Sequence, residues 1–430
     1  MLAPGATIGI LGGGQLGRMT ALAAARLGYR CHVFADEPDS PAEQVCAAAT
    51  VAEFTDPVAL ERFARAVDIA TFEFENIPAE AVRRVAALKP LQPRPEILEI
   101  AQDRLREKDF LRAIGVETAA YREISDPAAL ARAMRDFGYP AVLKTVRLGY
   151  DGKGQVSLTP ETDIDEAWRR MGGEIGILER FVDFVCEISV IAARSPDGGW
   201  AIYPPVENQH VNHILDTTIA PARISAEPAM RAEAIARHIA EELELVGLLA
   251  VEMFLTHTGA VLVNEIAPRP HNSGHWTIDA CVTSQFEQLV RALCGLPLGS
   301  VEHHSDAVMK NLLGNEVERW REALNDPLAK LHLYGKTEIQ PGRKWATSPG
   351  LSGTAEYYTF PSSGRLEDAP LTPTGAPDGT GWAGDRERSG GSAAPRRCER
   401  HRRVAGRGKC VSRRSPGSGP RASKARLRRR

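Results

Sequence analysis

The sequence lacks any run of consecutive apolar residues near the roughly 18–20 that are needed to span a bilayer. This absence argues against an integral membrane protein. The seven cysteines form no C-x-x-C pair and no Cys/His spacing typical of a metal site, which favours reduced thiols and a cytoplasmic location. Glycines already interrupt the first apolar segment, so we expect no signal peptide.

The chain also has little net charge, −2 at pH 7, but its charges are unevenly placed. Residues 345–430 contain 18 Lys and Arg against 7 Asp and Glu, whereas residues 1–344 contain 35 against 48. With 430 residues, 43 % of them hydrophobic, the chain is long enough for about two to four globular domains. We therefore expect an acidic folded body followed by a basic tail.

Alternating strand and helix patterns predict the fold class. Thr7–Leu11 is typical of a buried strand, Gln15–Leu27 of a helix that Gly28 ends, and Tyr29–Phe34 of the next strand. This β-loop-α-β order predicts a parallel α/β domain at the start of the chain. Further strands are expected at Pro140–Lys144, Gly176–Phe181, Glu187–Ala192, Leu248–Leu255, Ala260–Ile266, Ala307–Leu313 and Leu331–Tyr334.

A glycine motif follows the first predicted strand. Gly12, Gly14 and Gly17 have the G-x-G-x-x-G spacing of dinucleotide-binding folds, and Asp36 follows the next strand, where a ribose-binding acid is expected. Taken alone the motif is weak, because the same glycines can form a turn that exposes helix N-terminal amides to some other anion. A nicotinamide-dependent oxidoreductase therefore stays open as an alternative.

A lysine and a second glycine-rich segment indicate phosphate binding. Lys144 ends an apolar strand and supplies a fixed positive charge, and the backbone N–H groups of Gly149–Gly154 could close over a polyphosphate. Their spacing excludes the Walker P-loop. Glu179–Val182, followed by Glu187, suits an adenosine site. The alternatives are a surface turn for the glycine segment and a solvated strand edge for the acidic one.

Two carboxylates are predicted to face each other across a hairpin. If its turn centres on Thr258-Gly259, Glu252 lies opposite Glu265 on one face. Like charges in that arrangement destabilise a hairpin, so a compensating cation is expected, and carboxylates combined with substrate phosphates are typical of Mg²⁺. Asn264 and Asn272 could add oxygen ligands. The alternative is two solvated acids on an open face.

Two polar clusters complete the candidate site. Glu207–His210 and Arg269–Trp276 are too polar for a hydrophobic core. A single histidine is usually structural, but these clusters contain several. We therefore expect His210, His271 and His275 to line a polar, anion-binding cleft.

Together these segments resemble the ATP-grasp superfamily and, within it, the N5-carboxyaminoimidazole ribonucleotide synthetase family. The resemblance covers about residues 7–344 and is carried by I-L-G-G-G-Q-L-G-R-M (10–19), F-E-F-E-N-I (72–77), Q-D-R (102–104), G-Y-D-G-K-G-Q (149–155), E-R-F-V (179–182), E-N-Q-H (207–210), V-E-M-F (251–254), N-E-I-A-P-R-P-H-N-S-G-H (264–275) and L-Y-G-K (333–336). It implies a Mg²⁺-dependent C–N ligase of purine biosynthesis. This enzyme would carboxylate 5-aminoimidazole ribonucleotide with ATP and bicarbonate, through carboxyphosphate, giving N5-carboxyaminoimidazole ribonucleotide, ADP and phosphate.

The resemblance also implies a mixed α/β and α+β architecture in several parts. These are an N-terminal Rossmann-like (pre-ATP-grasp) domain in residues 1–100, an ATP-grasp domain in 101–297 and a small, truncated C-terminal β-rich domain in 298–350. An Arg-, Gly-, Ser- and Pro-rich tail in 351–430 is predicted to be disordered. A cytoplasmic homodimer is expected, with N5-carboxyaminoimidazole ribonucleotide mutase as functional partner and no membrane or nucleic-acid partner.

Individual roles are likewise implied by the resemblance. Catalytic roles fall to Tyr150, Asp151, Lys153, His210 and Arg269. ATP is bound by Arg104, Lys108, Lys144, Gly149, Tyr150, Asp151, Gly152, Lys153, Gly154, Gln155, Glu179, Arg180, Phe181, Val182, Glu187, His210, Asn264 and Glu265. The ribonucleotide and bicarbonate are bound by Gln15, Glu73, Asn76, Arg269, His271, Asn272, Ser273, Lys336 and Arg343, and Mg²⁺ by Glu252 and Glu265. The loop 149–155 acts as a lid, which Leu148, in place of a frequent glycine, is expected to stiffen.

After Lys344 the chain departs from the family pattern. The family usually continues M-G-H-V-T-R-L, whereas this chain continues W-A-T-S-P-G-L. When the codons of W-A-T-S-P-G-L are read in the frame that starts one nucleotide upstream, they can encode Met, Gly, His, Val, Thr and Arg in that order. We hypothesise that a single-base deletion has shifted the reading frame after Lys344. The alternative is a genuine basic tail that binds nucleic acid.

Overall fold

The computed structural model describes residues 1–149, 152–336 and 344–352. Its first part comprises β1 (Thr7–Leu11), α1 (Gln15–Arg26), β2 (Arg30–Ala35), β3 (Ala48–Val51), α2 (Pro57–Arg65), β4 (Ile69–Phe72), α3 (Ala79–Ala86) and α4 (Pro95–Ala101). The strands form a parallel sheet in the order β3-β2-β1-β4. This confirms the predicted α/β start, and the first helix ends one residue earlier than predicted, at Arg26.

A small antiparallel sheet comes next. Its elements are α5 (Arg104–Ala113), β5 (Tyr121–Ile124), α6 (Pro127–Phe137), β6 (Ala141–Thr145), β7 (Gln155–Leu158), α7 (Ile164–Met171) and β8 (Gly176–Arg180), with strand order β5-β8-β6-β7. Helix α5 begins at Arg104 because the Asp103 side chain accepts hydrogen bonds from the amides of Leu105 and Arg106. That start directs Arg104 and Lys108 from the same helix toward the large sheet.

The large sheet and its helices follow. They comprise β9 (Phe184–Arg194), β10 (Trp200–Ile202), β11 (Val206–Val211), β12 (Ile214–Ala220), α8 (Ala226–Glu242), β13 (Gly247–Thr256), β14 (Val261–Ala267), α9 (Thr277–Ala280), α10 (Gln285–Cys294), β15 (Asp306–Leu313), α11 (Trp320–Ala323), β16 (His332–Leu333) and β17 (Lys344–Ser352). The sheet order is β14-β13-β9-β11-β12-β15-β17-β16, with β10 paired to β9. Every strand predicted from the sequence is present, although the one at Leu331–Tyr334 is reduced to two residues.

The strands of the predicted C-terminal β region extend the large sheet. Ala307–Lys310 of β15 pairs with β12, and β17 pairs along the whole of β15. The core cluster that includes Leu16 of α1, Leu289 of α10 and Leu248 of β13 joins the first domain to one face of this sheet. None of the helices within the described residues is long and apolar enough to span a membrane. The predicted disordered tail lies outside the described residues from position 353 onward.

Candidate active site

The small and large sheets enclose a cleft of about 480 Å³. It brings together segments that are far apart in the chain, from the first domain, both sheets and β17. The predicted residues that line it are Asn76, Arg104, Lys144, Gly149, Gly152, Lys153, Gln155, Glu179, Arg180, Phe181, Val182, Glu187, His210, Glu252, Asn264, Glu265, Arg269, His271 and Asn272. Tyr150, Asp151 and Arg343 lie outside the described residues.

The Glu252–Glu265 pair occurs as predicted, but through a different hairpin geometry. Next to the turn, Leu255 pairs with Val261, so the turn centres on one residue, Thr258. The register then shifts between Glu252 and Met253, where Asn264 is the extra residue of a β-bulge. The bulge restores the pairing of Glu252 with Glu265 and directs both Asn264 and Glu265 into the cleft.

Two protein side chains already contact this carboxylate pair. His271 Nε2 lies 2.8 Å from Glu252 Oε1, and Arg104 Nη1 lies 2.9 Å from Glu265 Oε2. Burial alone would raise the pKa of Glu252, but His271 and His210 outweigh it and hold that pKa below its ordinary value. These contacts therefore favour the carboxylate form of Glu252.

The oxygen atoms at the hairpin fit a hard divalent cation. Among the described residues, the buried amide oxygen of Asn264 has no hydrogen-bond partner, and it belongs to the residue next to Glu265. Two carboxylates and one amide oxygen form the type of donor set that Mg²⁺ prefers. Ligand atoms of Glu187, His210 and Glu252 also lie within 4.8 Å of one another, so Glu252 has an acidic and an imidazole neighbour on β9 and β11.

The opposite wall of the cleft carries a buried ion pair. Lys144 Nζ lies 2.8 Å from Glu179 Oε2, and only 13 % and 5 % of these side chains are exposed. Burial would raise the pKa of Glu179, but Lys108, Lys144 and Arg104 outweigh it and lower the pKa to about 2. Glu179 thus fixes the position of the Lys144 amine, which faces the cleft.

An apolar slot lies beside this ion pair. The rings of Phe184 and Phe254 stack with their centroids 4.9 Å apart, and both residues line the cleft with Phe181 and Val182. An aromatic and apolar lining of this kind is typical of a site for a planar base. It adjoins the backbone of the segment predicted to contact adenine.

A second β-bulge directs His210 into the cleft. Gln209 pairs with Thr217, but His210 pairs with Leu215, which leaves Asp216 as the extra residue of β12. His210 Nδ1 then lies 3.2 Å from Glu187 Oε2. Burial alone would lower the pKa of His210, yet Glu187 and Glu252 raise it above its ordinary value, so these carboxylates favour the imidazolium form.

Sequence reasoning assigned no role to several residues that line this cleft. Glu75 Oε1 lies 2.7 Å from Arg269 Nη2, and Gln102 donates hydrogen bonds to the carbonyls of Glu75 and Ile77. Glu75, Ile77 and Gln102 all belong to motifs that carry the family resemblance.

Glu107 is almost fully buried, and burial together with nearby Glu265 raises its pKa to about 8 despite the charge of Lys108.

Four of the predicted residues do not line the cleft. Lys108 is 1 % exposed and donates to the carbonyls of Val263 and Asn264 behind the cleft wall. Ser273 is fully buried against Ser189 and His271. His275 is also fully buried and packs on Phe286. The physical reason is the same: in each of these three residues a polar side-chain atom bonds to a neighbouring protein group.

The fourth is Glu73, which caps helix α1. Its carboxylate accepts hydrogen bonds from the amides of Gly14 and Gly17, the latter at 2.7 Å. The carboxylate therefore occupies the helix N-terminus where a dinucleotide pyrophosphate would bind. The glycine motif consequently serves an internal acid, which removes the structural basis for the nicotinamide alternative involving Asp36.

The remaining predicted residues, Gln15, Gly154 and Lys336, do not line the cleft. Gly154 packs against Thr145 at the base of the glycine loop. Lys336 Nζ donates to the carbonyl of Lys344 and lies 5.7 Å from the centre of the Tyr334 ring. Its charge and that of Arg269 both act on Glu73, so Lys336 belongs to the end of the site near the first domain.

Three family models match consecutive parts of the chain. A ribonucleotide synthetase preATP-grasp domain matches residues 5–102, an ATP-grasp domain matches 109–286, and a phosphoribosylaminoimidazole carboxylase C-terminal domain matches 307–346. The last match ends two residues after Lys344, where the sequence departs from the family pattern.

Curated relatives agree with these models. The chain is 48 % identical over 345 residues to the N5-carboxyaminoimidazole ribonucleotide synthase of Brucella melitensis, which covers 80 % of this chain and 95 % of that protein. It is 46 % identical over 366 residues to a bifunctional purine synthesis protein of Dictyostelium discoideum, covering 80 % of this chain but only 37 % of that longer protein.

Solved structures give the same result. An N5-carboxyaminoimidazole ribonucleotide synthetase in complex with ADP is 44 % identical, with a TM-score of 0.80 and coverage of 82 % of this chain and 94 % of that one. The Aspergillus clavatus synthase in complex with ADP and 5-aminoimidazole ribonucleotide is 31 % identical, with a TM-score of 0.76 and coverage of 82 % and 95 %. The chain belongs to the N5-carboxyaminoimidazole ribonucleotide synthase family of ATP-grasp enzymes.

Proposed function

We propose that this chain carboxylates 5-aminoimidazole ribonucleotide with ATP and bicarbonate, giving N5-carboxyaminoimidazole ribonucleotide, ADP and phosphate. The observation that carries this proposal is one cleft that combines an apolar slot, a fixed lysine beside a glycine loop, and a facing carboxylate pair. Phosphoryl transfer requires these parts to position a nucleotide and neutralise its charge. ADP and the ribonucleotide bound to the Aspergillus clavatus relative support the same ligands here.

The proposed orientation of ATP follows from the positions of these groups. The adenine packs in the apolar slot, against the stacked rings of Phe184 and Phe254 and not between them, and meets the backbone of Glu179–Val182. Glu187 and His210 lie beyond the slot, where they bind the ribose. Lys144, held by Glu179, then contacts the phosphates, with the glycine loop covering them.

Mg²⁺ is assigned to Glu252 and Glu265, with the amide oxygen of Asn264 as a further donor. The fit rests on the facing carboxylates and on the buried amide oxygen that has no partner among the described residues. When bound, the ion neutralises charge on the phosphate oxygens. His271 and Arg104 hold the two carboxylates in place from outside the pair.

The reaction begins at the phosphate end of the cleft. A bicarbonate oxygen attacks the γ-phosphorus of ATP, the bond to the ADP oxygen breaks, and carboxyphosphate forms. Its carboxyl C–O bond then breaks to give CO₂ and phosphate. The exocyclic amine of the ribonucleotide forms the new C–N bond and loses one proton. Arg269, oriented by Glu75, is proposed to bind the bicarbonate anion.

The remaining assignments extend this proposal. Lys153 and His210 assist the transfer, together with Tyr150 and Asp151, which lie outside the described residues. Gln15, Asn76 and Lys336, with Arg343, surround the ribonucleotide at the end near the first domain. The domain boundaries at about 100 and 297, a cytoplasmic homodimer and delivery of product to the N5-carboxyaminoimidazole ribonucleotide mutase are parts of the same proposal.

The test is ADP release from Mg-ATP in bicarbonate buffer with and without 5-aminoimidazole ribonucleotide. Stimulation by the ribonucleotide is expected for the parent chain. Glu265→Gln should lower the stimulated rate at least about 100-fold, because it removes one negative ligand of the metal. Glu242→Gln, on the exposed face of α8, is the matched control and should keep the parent rate.

A well-folded parent that the ribonucleotide does not stimulate would contradict the substrate assignment. Equal rates for Glu265→Gln and Glu242→Gln would contradict the metal assignment while leaving the substrate intact. Product should be measured directly as bicarbonate-derived ¹³C in the ribonucleotide, because ADP release alone also reports uncoupled hydrolysis.

A further inference from the structure

Two residues with a left-handed backbone form the turn between β11 and β12. Asn212 and His213 have φ angles of 51° and 65°, and Val211 pairs with Ile214 across them. Two successive positive φ angles are typical of a type I′ turn, in which the second position is usually glycine because a β-carbon strains it. A residue other than glycine is uncommon at such a position, so the contacts of the His213 side chain are of interest.

The His213 side chain lies directly against Gly152 of the glycine loop. A β-carbon on Gly152 would lie 2.6 Å from His213 Cβ and 3.0 Å from the ring atoms Cγ and Cδ2. Gly152 itself has a φ of 79°. Both residues line the cleft, so the imidazole fills the space over the loop backbone at the phosphate end.

Two further contacts hold the described ends of the same loop. The Thr145 amide donates a 2.7 Å hydrogen bond to the Gly154 carbonyl. Arg104 Nη2 donates to the Gly149 carbonyl at 3.3 Å. His213 contacts the loop between these two points and comes from the opposite sheet, so it links the loop to the wall that carries Glu187 and His210.

We propose that His213 is a positioning residue, which seats the glycine loop over the phosphate end of the cleft through its contact with Gly152. This inference rests on the proposed function, because the seat affects the reaction only if a water-labile intermediate forms beneath it. Carboxyphosphate is hydrolysed when water reaches it. A loosened seat therefore increases ATP consumption without product, while Lys144, Glu179 and the apolar slot, which lie outside the loop, stay in place.

The test compares two glycine substitutions in one turn. His213→Gly removes the imidazole and suits the left-handed backbone, so the turn itself is not weakened. Asn212→Gly relieves the neighbouring position equally and is the matched control, since the three atoms nearest to a Gly152 β-carbon all belong to His213. His213→Asn keeps a short planar side chain that tolerates a positive φ, and we expect it to restore part of the coupling.

The primary measurement is product formed per ADP released, together with bicarbonate-dependent ADP release in the absence of ribonucleotide. We expect His213→Gly to raise the second quantity about three- to tenfold and to lower the first, because the intermediate is then open to water. The KM for ATP should change less than the coupling ratio. Asn212→Gly should match the parent in both measurements.

The second measurement is tryptic cleavage after Lys153, which reports the seat without reference to activity. We expect cleavage of folded His213→Gly to be severalfold faster than that of the parent or of Asn212→Gly. Identical coupling and identical cleavage in all three proteins would overturn the proposal. If the parent itself shows no ribonucleotide-stimulated ADP release, the proposed function fails, and the cleavage rates alone then support or overturn the seat.

Discussion

His275 lies in the hydrophobic core and is completely buried. Its Nδ1 atom lies 3.1 Å from the His271 carbonyl, and its ring packs edge-on against Phe286 at a centroid distance of 5.3 Å. Among the described residues, its Nε2 atom has no hydrogen-bond partner. Burial lowers the pKa of His275 to about 3, because a charged imidazolium would lose its hydration and, among the described residues, would gain no acceptor for Nε2.

This burial predicts a pH-dependent stability. Below an ordinary histidine pKa of about 6.5 the unfolded chain binds a proton that the folded chain refuses, so stability falls as the pH drops from about 6.5 toward 3. Between pH 7 and pH 5 we expect this group to lower the free energy of unfolding by about 2 kcal/mol. Urea unfolding of the parent and of His275→Gln at both pH values measures this change in the free energy of unfolding.

The glutamine variant is expected to be less stable than the parent at pH 7 but to lose less stability on acidification. His238→Gln is the control, since that half-buried ring bonds to the Ile114 carbonyl elsewhere in the fold. An equal loss of stability between pH 7 and pH 5 in the parent and in His275→Gln would contradict the prediction.

At the scale of single elements, the N-terminus of helix α1 depends on an acidic side chain that follows strand β4. Its N-cap residue, Gly14, provides no side-chain cap, and Glu73, directly after β4, accepts hydrogen bonds from the amides of Gly14 and Gly17 instead. A buried acceptor at a helix N-terminus satisfies free amides and suits the helix dipole. The cap therefore joins the start of α1 to the end of β4.

Removing this cap should destabilise the fold. Glu73→Ala leaves two amides without an acceptor, and we expect a loss of about 2–4 kcal/mol in the free energy of unfolding. Glu73→Gln keeps one oxygen acceptor and should cost roughly half as much. Urea unfolding checks both, with the exposed Glu80→Ala expected within about 0.5 kcal/mol of the parent. A Glu73→Ala protein as stable as the parent would show that water replaces the cap.

Much of the element order and of the site could be predicted from sequence because strand alternation and glycine motifs are local signals. The pairing of Glu252 with Glu265 was one of the features that could be predicted. The two β-bulges could not be predicted, because the extra residues, Asn264 and Asp216, fit an uninterrupted strand equally well. The orientation of Lys108 was equally out of reach, since its partners are carbonyls of a strand about 155 residues later.

At the scale of the whole molecule, β17 connects the variant end of the chain to the large sheet. It pairs with the whole of β15. Lys344 pairs with Leu313 and Ala346 with Leu312, so residue 345 is the extra residue of a register shift. That shift falls on the first residue after the suspected frame break. Ala346 and Thr347 are nevertheless fully buried, so the strand forms despite the changed sequence.

Truncations around this strand test its contribution. A chain that ends at Ser352 keeps β17, and we expect its melting temperature to lie within about 2 °C of the parent. A chain that ends at Arg343 loses β17, which uncovers β15 and its buried Met309 and Leu312. We expect that chain to lose at least about 3 kcal/mol of stability and its ribonucleotide-stimulated ADP release, because Lys344 also lines the cleft.

The frame hypothesis adds one more variant to this series. Restoring M-G-H-V-T-R-L after Lys344 together with the in-frame codons that follow should give a protein at least as stable as the Ser352 truncation, because the strand then has the family's sequence. Thermal unfolding and the ADP assay compare the four chains directly. Sequencing codons 340–350 with no missing base, or a restored chain less stable than the parent, would contradict the hypothesis. Salt-sensitive DNA binding that disappears in the Ser352 truncation would instead favour a genuine nucleic-acid-binding tail.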